Sequence, residues 1–439
     1  MTRPKKSPIW HPFTQHALQD EMTKVVRGEG AYLYAADGRR IIDAIASWWV
    51  VTHGHCHPHI VGAIQKQAEQ LNQIIFAGYT HEPAEQVAVA LLKLAPAGLD
   101  YVFFSDSGST SVEVALKMAL GYWRNIGEPR TRIVVMQHSY HGDTIGAMSV
   151  GARGVFNAAY GPLLFDVTTV PFPSVGHEQA TLDALEAAVR NERPAAFIVE
   201  PLILGAGGML MYPAWVLKEM KRICEASDVL FIADEVMTGW GRTGTLFACE
   251  QFGIRPDILV VSKQITSSYQ PLAAVLVSDA IYQGVADQSE RLGTFGHGFT
   301  ASGHPVATAV GLENLAIIEE RNLVANAAKV GAHLQARLRE FAHHPLVGEV
   351  RGVGLIAAVE LVADKASKAK FDPPGKVGLH VFEKAHEHGL IIRSIQDSIA
   401  FCPPLIITEA QVDEVVARFA RTLDETQNWV EAGMPNDVR

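Results

Sequence analysis

VLFIAD (residues 229–234) and ILVVSK (residues 258–263) are two apolar runs that each end on a charged residue, Asp234 in the first and Lys263 in the second. Runs this apolar predict strands that are buried on both faces, as in a parallel sheet. Open α/β sheets bind their ligands beyond the carboxyl ends of the strands. The sequence therefore predicts an acid and an amine that converge on one crevice, although an ordinary ion pair or two unrelated strand ends would give the same pattern.

The region around these runs alternates helical patterns with short apolar runs from about residue 60 to residue 290. Helical spacing is present at Pro58 to Leu71, Glu82 to Leu94 and Pro213 to Ala226. Helix and strand in steady alternation predict a mostly parallel sheet with helices on both faces. The predicted fold class is therefore α/β.

The pattern changes after Gly303. Two long helices are predicted at Pro305 to Glu320 and Val324 to Ala342, followed by strands at Gly354 to Glu360 and Ile391 to Arg393 and a closing helix from Glu409 to Glu425. These elements predict a smaller α+β domain at residues 304–439 beside a large domain at residues 59–303. We expect the N-terminal segment, residues 1–58, to pack with the small domain.

The composition limits the class of protein. The chain has 439 residues, 48% hydrophobic and 19% charged, with a formal net charge of -10. An excess of negative charge without long single-sign blocks argues against nucleic-acid or anionic-membrane partners. No segment approaches a charge-free span of about 20 residues, so we expect no membrane insertion. The four cysteines lie far apart without a CxxC pair, which favours a reducing cytoplasm over a disulfide framework or a structural zinc site.

The stretch FSDSGST (residues 104–110) leaves a predicted strand and enters a predicted helix. Backbone N–H groups at a helix N-terminus bind anions, and the hydroxyls of Ser109 and Thr110 are further donors for a phosphate. The same residue types also cap helices without binding a ligand. Both interpretations stay open from these residues alone.

Aromatic residues stand at two further positions of interest. Tyr140 follows the strand predicted at residues 132–136, where an aromatic ring can lie flat on a conjugated ligand or simply form a pocket wall. Trp48 and Trp49 are adjacent, and neighbouring residues of a strand face opposite ways. If this stretch is a strand, one tryptophan belongs to the core and the other lines a pocket.

Two other patterns argue against common cofactors. The histidines between His53 and His59 lie in a Gly- and Pro-containing loop without a carboxylate partner, so we expect no metal site. The glycine-rich stretches at residues 205–208 and 239–244 match neither GxGxxG nor GxxxxGK[ST] in the required setting. Nicotinamide and nucleotide-triphosphate binding are therefore disfavoured.

The whole set of motifs resembles, in its order, the class III pyridoxal-phosphate aminotransferases of fold type I. The motifs are residues 104–110, 139–144, 200–201, 233–236, 239–244 and 262–263. Several independent motifs in one order are far more specific than any one of them. The resemblance covers nearly the whole chain and implies pyridoxal 5'-phosphate as cofactor, a large domain with a mostly parallel sheet, and a smaller α+β domain.

The resemblance also implies roles for individual residues. Lys263 corresponds to the lysine that forms a Schiff base with the cofactor, and Asp234 to the acid that pairs with the pyridine nitrogen. The remaining cofactor residues are implied to be Gly108 and Ser109 at the phosphate, Tyr140 on the ring, Glu200 near the cofactor, and Thr300, which reaches the phosphate of the neighbouring subunit of a homodimer. Substrate-binding residues are implied to be Phe13, Trp48, Trp49 and Arg393, the last as receiver of substrate carboxylates.

The implied reaction is the transfer of an amino group from a small-molecule amine donor to a keto acceptor in two half-reactions. Two subfamilies are resembled. Residues 9 to about 255 resemble the biotin-pathway enzymes that aminate 8-amino-7-oxononanoate to 7,8-diaminononanoate, and residues from about 260 onward resemble ω-amine:pyruvate transaminases. Diaminononanoate formation is our first expectation and broad ω-amine transfer the alternative, with an intramolecular aminomutase as a further rival.

One departure from the first subfamily concerns the amino donor. Many relatives that use S-adenosylmethionine have tyrosine where this chain has Phe13, so a hydroxyl at the donor site is missing. Leu204 likewise replaces a polar residue that often precedes the glycine-rich stretch. Both departures favour the alternative that the amino donor is a molecule other than S-adenosylmethionine.

Overall fold

The computed structural model describes residues 7–16, 22–154, 157–286 and 295–435. Within these ranges the strands are β1 (Val25–Glu29), β2 (Tyr32–Ala35), β3 (Arg40–Asp43), β4 (Tyr101–Ser105), β5 (Ile133–Met136), β6 (Thr168–Val170), β7 (Ala196–Val199), β8 (Ile203–Leu204), β9 (Leu210–Met211), β10 (Leu230–Asp234), β11 (Ile258–Val261), β12 (Ala273–Val277), β13 (Val347–Val353), β14 (Ile356–Leu361), β15 (Leu390–Ile391), β16 (Arg393–Ile395) and β17 (Ser398–Phe401).

The α-helices of the same ranges are α1 (Ala46–Trp49), α2 (Pro58–Gln70), α3 (Glu82–Leu94), α4 (Gly108–Asn125), α5 (Ile145–Ser149), α6 (Glu178–Glu192), α7 (Ala214–Ala226), α8 (Asp279–Ala286), α9 (Pro305–Glu320), α10 (Leu323–Arg339), α11 (Lys376–Glu387) and α12 (Glu409–Glu431). Apolar residues at helical spacing predicted α3 and α9 with the observed ends. The closing helix α12 continues to Glu431, beyond the predicted end at Glu425.

The main sheet has the strand order β4-β12-β11-β10-β7-β5-β6. Neighbouring strands are parallel from β11 to β6, and β12 is antiparallel to both of its neighbours. Alternate residues of β10 pack into different core clusters, Phe231 and Ala233 on one face and Leu230 and Ile232 on the other. Both faces of the sheet are therefore buried, which explains the unbroken apolar runs. The predicted mostly parallel α/β sheet is confirmed.

Two smaller sheets have the orders β1-β2-β3-β15 and β13-β14-β17-β16. β15 pairs in parallel with β3, with Leu390 opposite Ile42, so the N-terminal strands share a sheet with a C-terminal strand. Helix α10 contacts β13 and β14, and α11 contacts β15, β16 and β17. The exact division at residues 58 and 303 stays a prediction, because a shared sheet does not define a domain boundary.

The single strand predicted at Ile391 to Arg393 is wrong. Leu390–Ile391 belongs to the sheet of β3, whereas Arg393–Ile395 pairs with β17 in the other small sheet. The buried Ile392 stands between the two strands, where the chain crosses from one sheet to the other. Local pattern does not reveal such a crossing, since the two strands have only two and three residues.

The strand assumed for the two tryptophans is also wrong. Ala46–Trp49 is a single distorted turn in which Ala46, Ser47 and Trp49 have φ values of 47°, 59° and 62°. The buried carboxylate of Asp43 stabilises this turn by accepting hydrogen bonds from the Ser47 N–H and hydroxyl, each at 2.9 Å. Trp49 is buried and Trp48 is 38% exposed, so the two side chains still face apart.

Among the residues that the structure describes, no helix is long and apolar enough to cross a membrane. All four cysteines lie in the described ranges, and none forms a disulfide.

Candidate active site

The carboxyl edge of the main sheet collects chemically active residues from several strands, because parallel strands end at the same edge. Asp234 is the last residue of β10, Lys263 follows the adjacent strand β11 by two residues, and Glu200 directly follows β7. Tyr140 follows β5 by four residues, and Gly108 opens helix α4 just after β4. No ion pair joins Lys263 to Asp234 among the described residues, so the two strand ends are not the ordinary ion pair that the sequence left open.

Lys263 lies where the backbone itself is strained. Its φ of 47° is in the left-handed region, which is uncommon for a residue other than glycine and concentrates at functional sites. Desolvation lowers the pKa of its amine, and the nearby carboxylates of Asp234 and Glu200 oppose that shift. The Nζ atom lies 5.7 Å from the centroid of the Trp49 ring. The amine is therefore in a setting that favours its neutral, nucleophilic form.

Asp234 is held from two sides. Its Oδ1 accepts the N–H of Val236 at 3.1 Å, and its Oδ2 is 2.7 Å from Nδ1 of His141. Because a carboxylate oxygen only accepts, Nδ1 of His141 carries the proton of this bond. Nε2 of His141 is buried and has no partner in the described part of the chain. The His141 side chain thus orients the carboxylate of Asp234 and leaves one polar atom for a group outside the chain.

Glu200 connects two loops of the site. Its Oε1 accepts the N–H of Tyr140 at 2.9 Å, and its Oε2 accepts the N–H of Gly205 at 3.0 Å. Burial raises the pKa of Glu200 to about 7, with a further increase from the charge of Asp234, whereas His141 and the two N–H donors lower it. The Tyr140 side chain, held by this bond at its backbone, is 38% exposed and forms a wall of the crevice.

The start of helix α4 is a compact turn. Thr110 and Ser107 form a capping box, so the expected phosphate donor Thr110 is occupied in capping. The N–H groups of Gly108 and Ser109 are the first two of the helix and have no intrahelical acceptor. Gly142 has a φ of 130°, and a Cβ there would lie 2.1 Å from Oγ of Ser109. Glycine at 142 thus lets the loop after β5 close against the helix N-terminus.

The opposite wall is aromatic and carries one cation. The Cζ atom of Arg393 lies 4.2 Å from the ring centroid of Trp48 and 5.9 Å from that of Phe13. The Phe13 and Trp48 rings are 5.5 Å apart. Desolvation lowers the pKa of Arg393, and the Tyr140 side chain opposes this shift. The structure therefore brings Phe13, Trp48 and Arg393 together.

Thr300 is the expected site residue that the chain does not bring to this crevice. It is exposed, and its carbonyl oxygen accepts a hydrogen bond from Nε2 of Gln73 at 2.7 Å. No contact between Thr300 and Lys263, Asp234 or Tyr140 is present in the described ranges. A role for Thr300 in cofactor binding needs a second subunit.

Residues 14–423 match the sequence model of the family described as Aminotransferase class-III. The chain belongs to the class III aminotransferases. This aminotransferase is 42% identical to the adenosylmethionine-8-amino-7-oxononanoate aminotransferase of Synechococcus elongatus over 430 residues, which cover 96% of this chain and 100% of that protein. It is 36% identical to the putrescine–pyruvate aminotransferase of Pseudomonas aeruginosa, with 94% of each chain covered.

A solved structure with the same fold is the omega transaminase of Pseudomonas jessenii in complex with PMP. It superposes with a TM-score of 0.91 at 40% identity, covering 97% of this chain and 98% of that one. The fold type I architecture is therefore confirmed. Class III aminotransferases use pyridoxal 5'-phosphate, which is this aminotransferase's cofactor.

The residues present fit this cofactor. A desolvated amine, a carboxylate of fixed orientation, two helix N-terminal N–H groups and an exposed aromatic ring converge on one crevice. The buried Nε2 of His141, without a partner in the described chain, lies beside the carboxylate that would meet the pyridine nitrogen. Each part of the cofactor thus has a side chain or backbone group of matching chemistry.

Two of the loop histidines, His53 and His55, make structural contacts. Nε2 of His53 is 2.7 Å from the side-chain oxygen of the buried Asn314, and burial lowers the pKa of His53 to about 4. His55 pairs with Asp43 at 3.1 Å. Within the described ranges, no group of three or more His, Cys, Asp or Glu residues is arranged to hold a metal ion.

Sequence analysis missed the role of His141. The residue stands between Tyr140 and Gly142 in a motif that was singled out for its aromatic ring alone. Its position in the loop that follows a strand of the predicted sheet was the available signal. Which side chain of that motif reaches Asp234 depends on the turn after β5, which residue types alone do not define.

Proposed function

We propose that this aminotransferase converts 8-amino-7-oxononanoate to 7,8-diaminononanoate. The observation that carries the proposal is the wall of Trp48, Phe13 and Arg393, which offers apolar rings and a single cation. Trp49, the next residue along the chain from Trp48, has its ring centroid 5.7 Å from Nζ of Lys263. Such a wall suits a long aliphatic keto acid, because the rings bury the methylene chain while the guanidinium binds the terminal carboxylate. The full-length similarity to an enzyme named for this substrate supports it.

The cofactor, when bound, supplies an electron-accepting ring that stabilises negative charge on the substrate carbon. We propose that Gly108 and Ser109 bind its phosphate, Tyr140 stacks on its ring, and Asp234 holds the proton on its pyridine nitrogen. His141 and Val236 fix the orientation of the Asp234 carboxylate for that bond. Glu200 places Tyr140 by accepting its backbone N–H.

Lys263 has two roles in this proposal. Its Nζ would hold the cofactor, and as a free amine it would take the proton from the substrate carbon that bears nitrogen. A base must be unprotonated to act, and the desolvation that lowers the Lys263 pKa favours the neutral amine. The amine then returns the proton within the same crevice, so a single residue serves as base and acid.

We propose that the chain works as a homodimer in which Thr300 contacts the phosphate of the partner's cofactor. Thr300 is exposed here and lies away from Lys263 of its own chain. Large apolar side chains are also exposed, among them Trp10 at 90%, Tyr79 at 63% and Ile75 at 62%. Contiguous apolar surface is typical of interfaces between subunits. Four unpaired cysteines, three of them buried, support a further proposal that the enzyme is cytoplasmic.

A second candidate function is broad ω-amine:pyruvate transfer. It is favoured by the absence of a hydroxyl at Phe13, which disfavours S-adenosylmethionine as donor, and by the likeness to structures named as omega transaminases. An intramolecular aminomutase would keep Lys263 and Asp234 but would need no separate keto acceptor.

Product analysis of the purified holoenzyme separates these candidates. We expect diaminononanoate from 8-amino-7-oxononanoate with S-adenosylmethionine, lysine or another amine as donor. In parallel, 1-phenylethylamine and pyruvate test for acetophenone. No diaminononanoate with any donor would refute the first proposal, and acetophenone in its place would establish the second. Conversion of one substrate without a keto acceptor would favour the aminomutase.

A further inference from the structure

The glycine-rich stretch at residues 205–208 has no role in the proposed chemistry, yet it forms an unusual turn between β8 and β9. Gly208 has a φ of 112° and Met209 a φ of 53°, two consecutive left-handed residues. The carbonyl oxygens of both accept hydrogen bonds from one side chain, that of Arg351 in β13. Nη2 of Arg351 donates to Gly208 at 2.7 Å and Nε donates to Met209 at 2.8 Å. A planar guanidinium suits two such acceptors, whereas an ammonium does not.

The remaining donors of Arg351 are also used. Nη1 donates to Oε2 of Glu360 at 2.5 Å, which balances the charge. The hydroxyl of Ser398 accepts from Nη2 of Arg351 and donates to the carbonyl of Gly208, each at 3.1 Å. The Arg351 side chain is only 11% exposed. Arg351 therefore makes a largely buried contact between the small sheet and the turn, with all three of its guanidinium nitrogens hydrogen-bonded.

Arg351 and Arg393 belong to one row across that small sheet. Arg351 of β13 is opposite Ala358 of β14, Ala358 is opposite Ala400 of β17, and Ala400 is opposite Arg393 of β16. Residues directly opposite each other in a sheet project from the same face. Two arginines therefore project from one face with two alanines between them, one onto the glycine-rich turn and the other onto Trp48.

The far side of the same turn reaches the cofactor site. The N–H of Gly205 donates to Glu200, whose other oxygen accepts the N–H of Tyr140. Arg351 therefore contacts a turn that is itself connected, through Glu200, to the backbone of Tyr140. An arginine that only stabilised the small sheet would not need to donate to this turn.

We propose that Arg351 is a positioning residue for the substrate carboxylate: it docks the row that carries Arg393 onto the glycine-rich turn and so sets the distance from Arg393 to Lys263. The inference rests on the proposed role of Arg393 as receiver of the carboxylate. Without the hydrogen bonds from Arg351 to the turn, Arg393 keeps its charge. A substrate whose carboxylate binds Arg393 then has its reacting carbon at the wrong distance from Lys263. A substrate without a carboxylate is not affected in this way.

The test compares one reaction with two substrates that differ only in that charge. kcat and KM of the holoenzyme are measured for 8-amino-7-oxononanoate and its methyl ester, or for pyruvate and methyl pyruvate if the second candidate function holds. For Arg351→Met we expect the preference in kcat/KM for acid over ester to fall about tenfold, since small misplacements cost up to about a hundredfold. The ester itself should react within about twofold of wild type.

Arg351→Lys keeps the charge but cannot donate to both carbonyls, so we expect a loss of about threefold. Ser398→Ala removes one bond to the same carbonyl and should give a smaller loss in the same direction. The matched control is Gln335→Met. It removes two hydrogen bonds to the carbonyls of Gly354 and Ile356, which lie at the hairpin between β13 and β14 of the same small sheet, and it leaves the glycine-rich turn untouched. It should lower the melting temperature and leave the preference for acid unchanged.

Arg393→Met provides the reference loss. If Arg393→Met abolishes the preference for acid while Arg351→Met leaves it intact, or slows acid and ester equally, the inference is wrong and the proposed role of Arg393 stands. If Arg393→Met itself leaves the preference intact, the carboxylate role fails and the inference fails with it. Should Arg351→Met not fold, Arg351→Lys and Ser398→Ala decide, and an unchanged preference in both overturns the inference.

Discussion

The two walls of the crevice differ in how they are built. The first wall, made by Lys263, Asp234, Glu200 and Tyr140, lies at the ends of parallel strands, and its carboxylates are held by hydrogen bonds to nearby backbone. The second wall, made by Phe13, Trp48 and Arg393, comes from three separate segments and is held by contacts between rings and a guanidinium. Its most exposed member is Phe13 at 59%, whereas Tyr140 of the first wall is 38% exposed.

The difference teaches where the reaction and the substrate choice are determined. Strand ends in a buried sheet cannot shift without disturbing the core, so the first wall holds the reaction type constant. Stacked side chains on an N-terminal segment and a small sheet tolerate replacement more easily. Variation in the second wall can therefore change the substrate while the chemistry is kept, as the two subfamilies that the chain resembles suggest.

The largest effect is expected from Lys263→Ala. Loss of the base alone should reduce turnover by about 10²- to 10⁴-fold, and the visible absorbance of covalently attached cofactor should disappear. Steady-state assays and absorbance spectra check this. Lys329→Ala is the control, since that lysine is 76% exposed and pairs with Glu409 far from the crevice. Normal turnover in Lys263→Ala would mean that the reaction does not take place at the first wall.

Asp234→Asn should lower kcat by about a hundredfold while the cofactor still binds, because the amide keeps the shape but loses the charge that holds the pyridine proton. His141→Phe should cost about tenfold, since Asp234 then keeps only the bond from Val236. Asp257→Asn is a matched control at the opposite edge of the same sheet, where the carboxylate accepts the N–H of Phe231. Equal losses in all three variants would contradict a specific role for the Asp234 pair.

Glu200→Gln tests how the buried carboxyl of Glu200, in the first wall, changes the free energy of unfolding with pH. The pKa of Glu200 is raised from 4.5 to about 7, so the folded state holds this proton more tightly than the unfolded state. Its contribution to stability is present at low pH and is lost as the pH rises from about 4.5 to about 7. His53, with a pKa of about 4, acts in the opposite sense up to about pH 6.5.

The free energy of unfolding, measured in urea at pH 5 and pH 8 for wild type and Glu200→Gln, separates these two contributions. Relative to wild type, the variant should become more stable at the higher pH, because it has no proton to lose. Glu319→Gln, which removes an exposed carboxyl, is measured alongside as the control. A flat difference for Glu200→Gln would mean that the carboxyl titrates normally.

The smallest effect is expected at the second wall from Phe13→Tyr. A restored hydroxyl should raise the activity with S-adenosylmethionine by about fivefold, the worth of one hydrogen bond, and leave other donors unchanged. Rates with S-adenosylmethionine and with lysine, measured side by side, check this. Phe13→Leu is the control for a change at this position that adds no hydroxyl. A gain with every donor would show that Tyr at 13 alters packing rather than donor choice.

Much of the first wall could be predicted from sequence. Asp234 and Lys263 were found from two apolar runs because a strand buried on both faces has no polar residue until it ends. Tyr140 and Glu200 follow strands in the same way. The predicted phosphate donor Thr110 is occupied in capping Ser107, since a capping hydroxyl and a ligand-binding hydroxyl have the same local sequence. His141 was missed because the turn after β5 decides which side chain reaches Asp234.

The second wall depended on tertiary structure. Phe13 and Arg393 were singled out only by resemblance, Trp48 was one of two tryptophans of which either could line a pocket, and nothing local indicates that their side chains stack. The strand expected at Ile391 to Arg393 is two strands in two sheets, and the strand expected at the tryptophans is a turn stabilised by Asp43. These errors arise because short elements take their conformation from partners distant in the chain.

The sequence by itself determined the α/β class, the parallel sheet and the placement of Asp234 and Lys263 at neighbouring strand ends, because contiguous residues show both the burial of a strand on two faces and the point where it ends. Only the tertiary structure decided that His141 orients Asp234, that Glu200 joins Tyr140 to the glycine-rich turn, and that Arg351 and Arg393 share one row of a sheet. The physical reason is that these contacts depend on register and on turns, which join residues up to some two hundred positions apart.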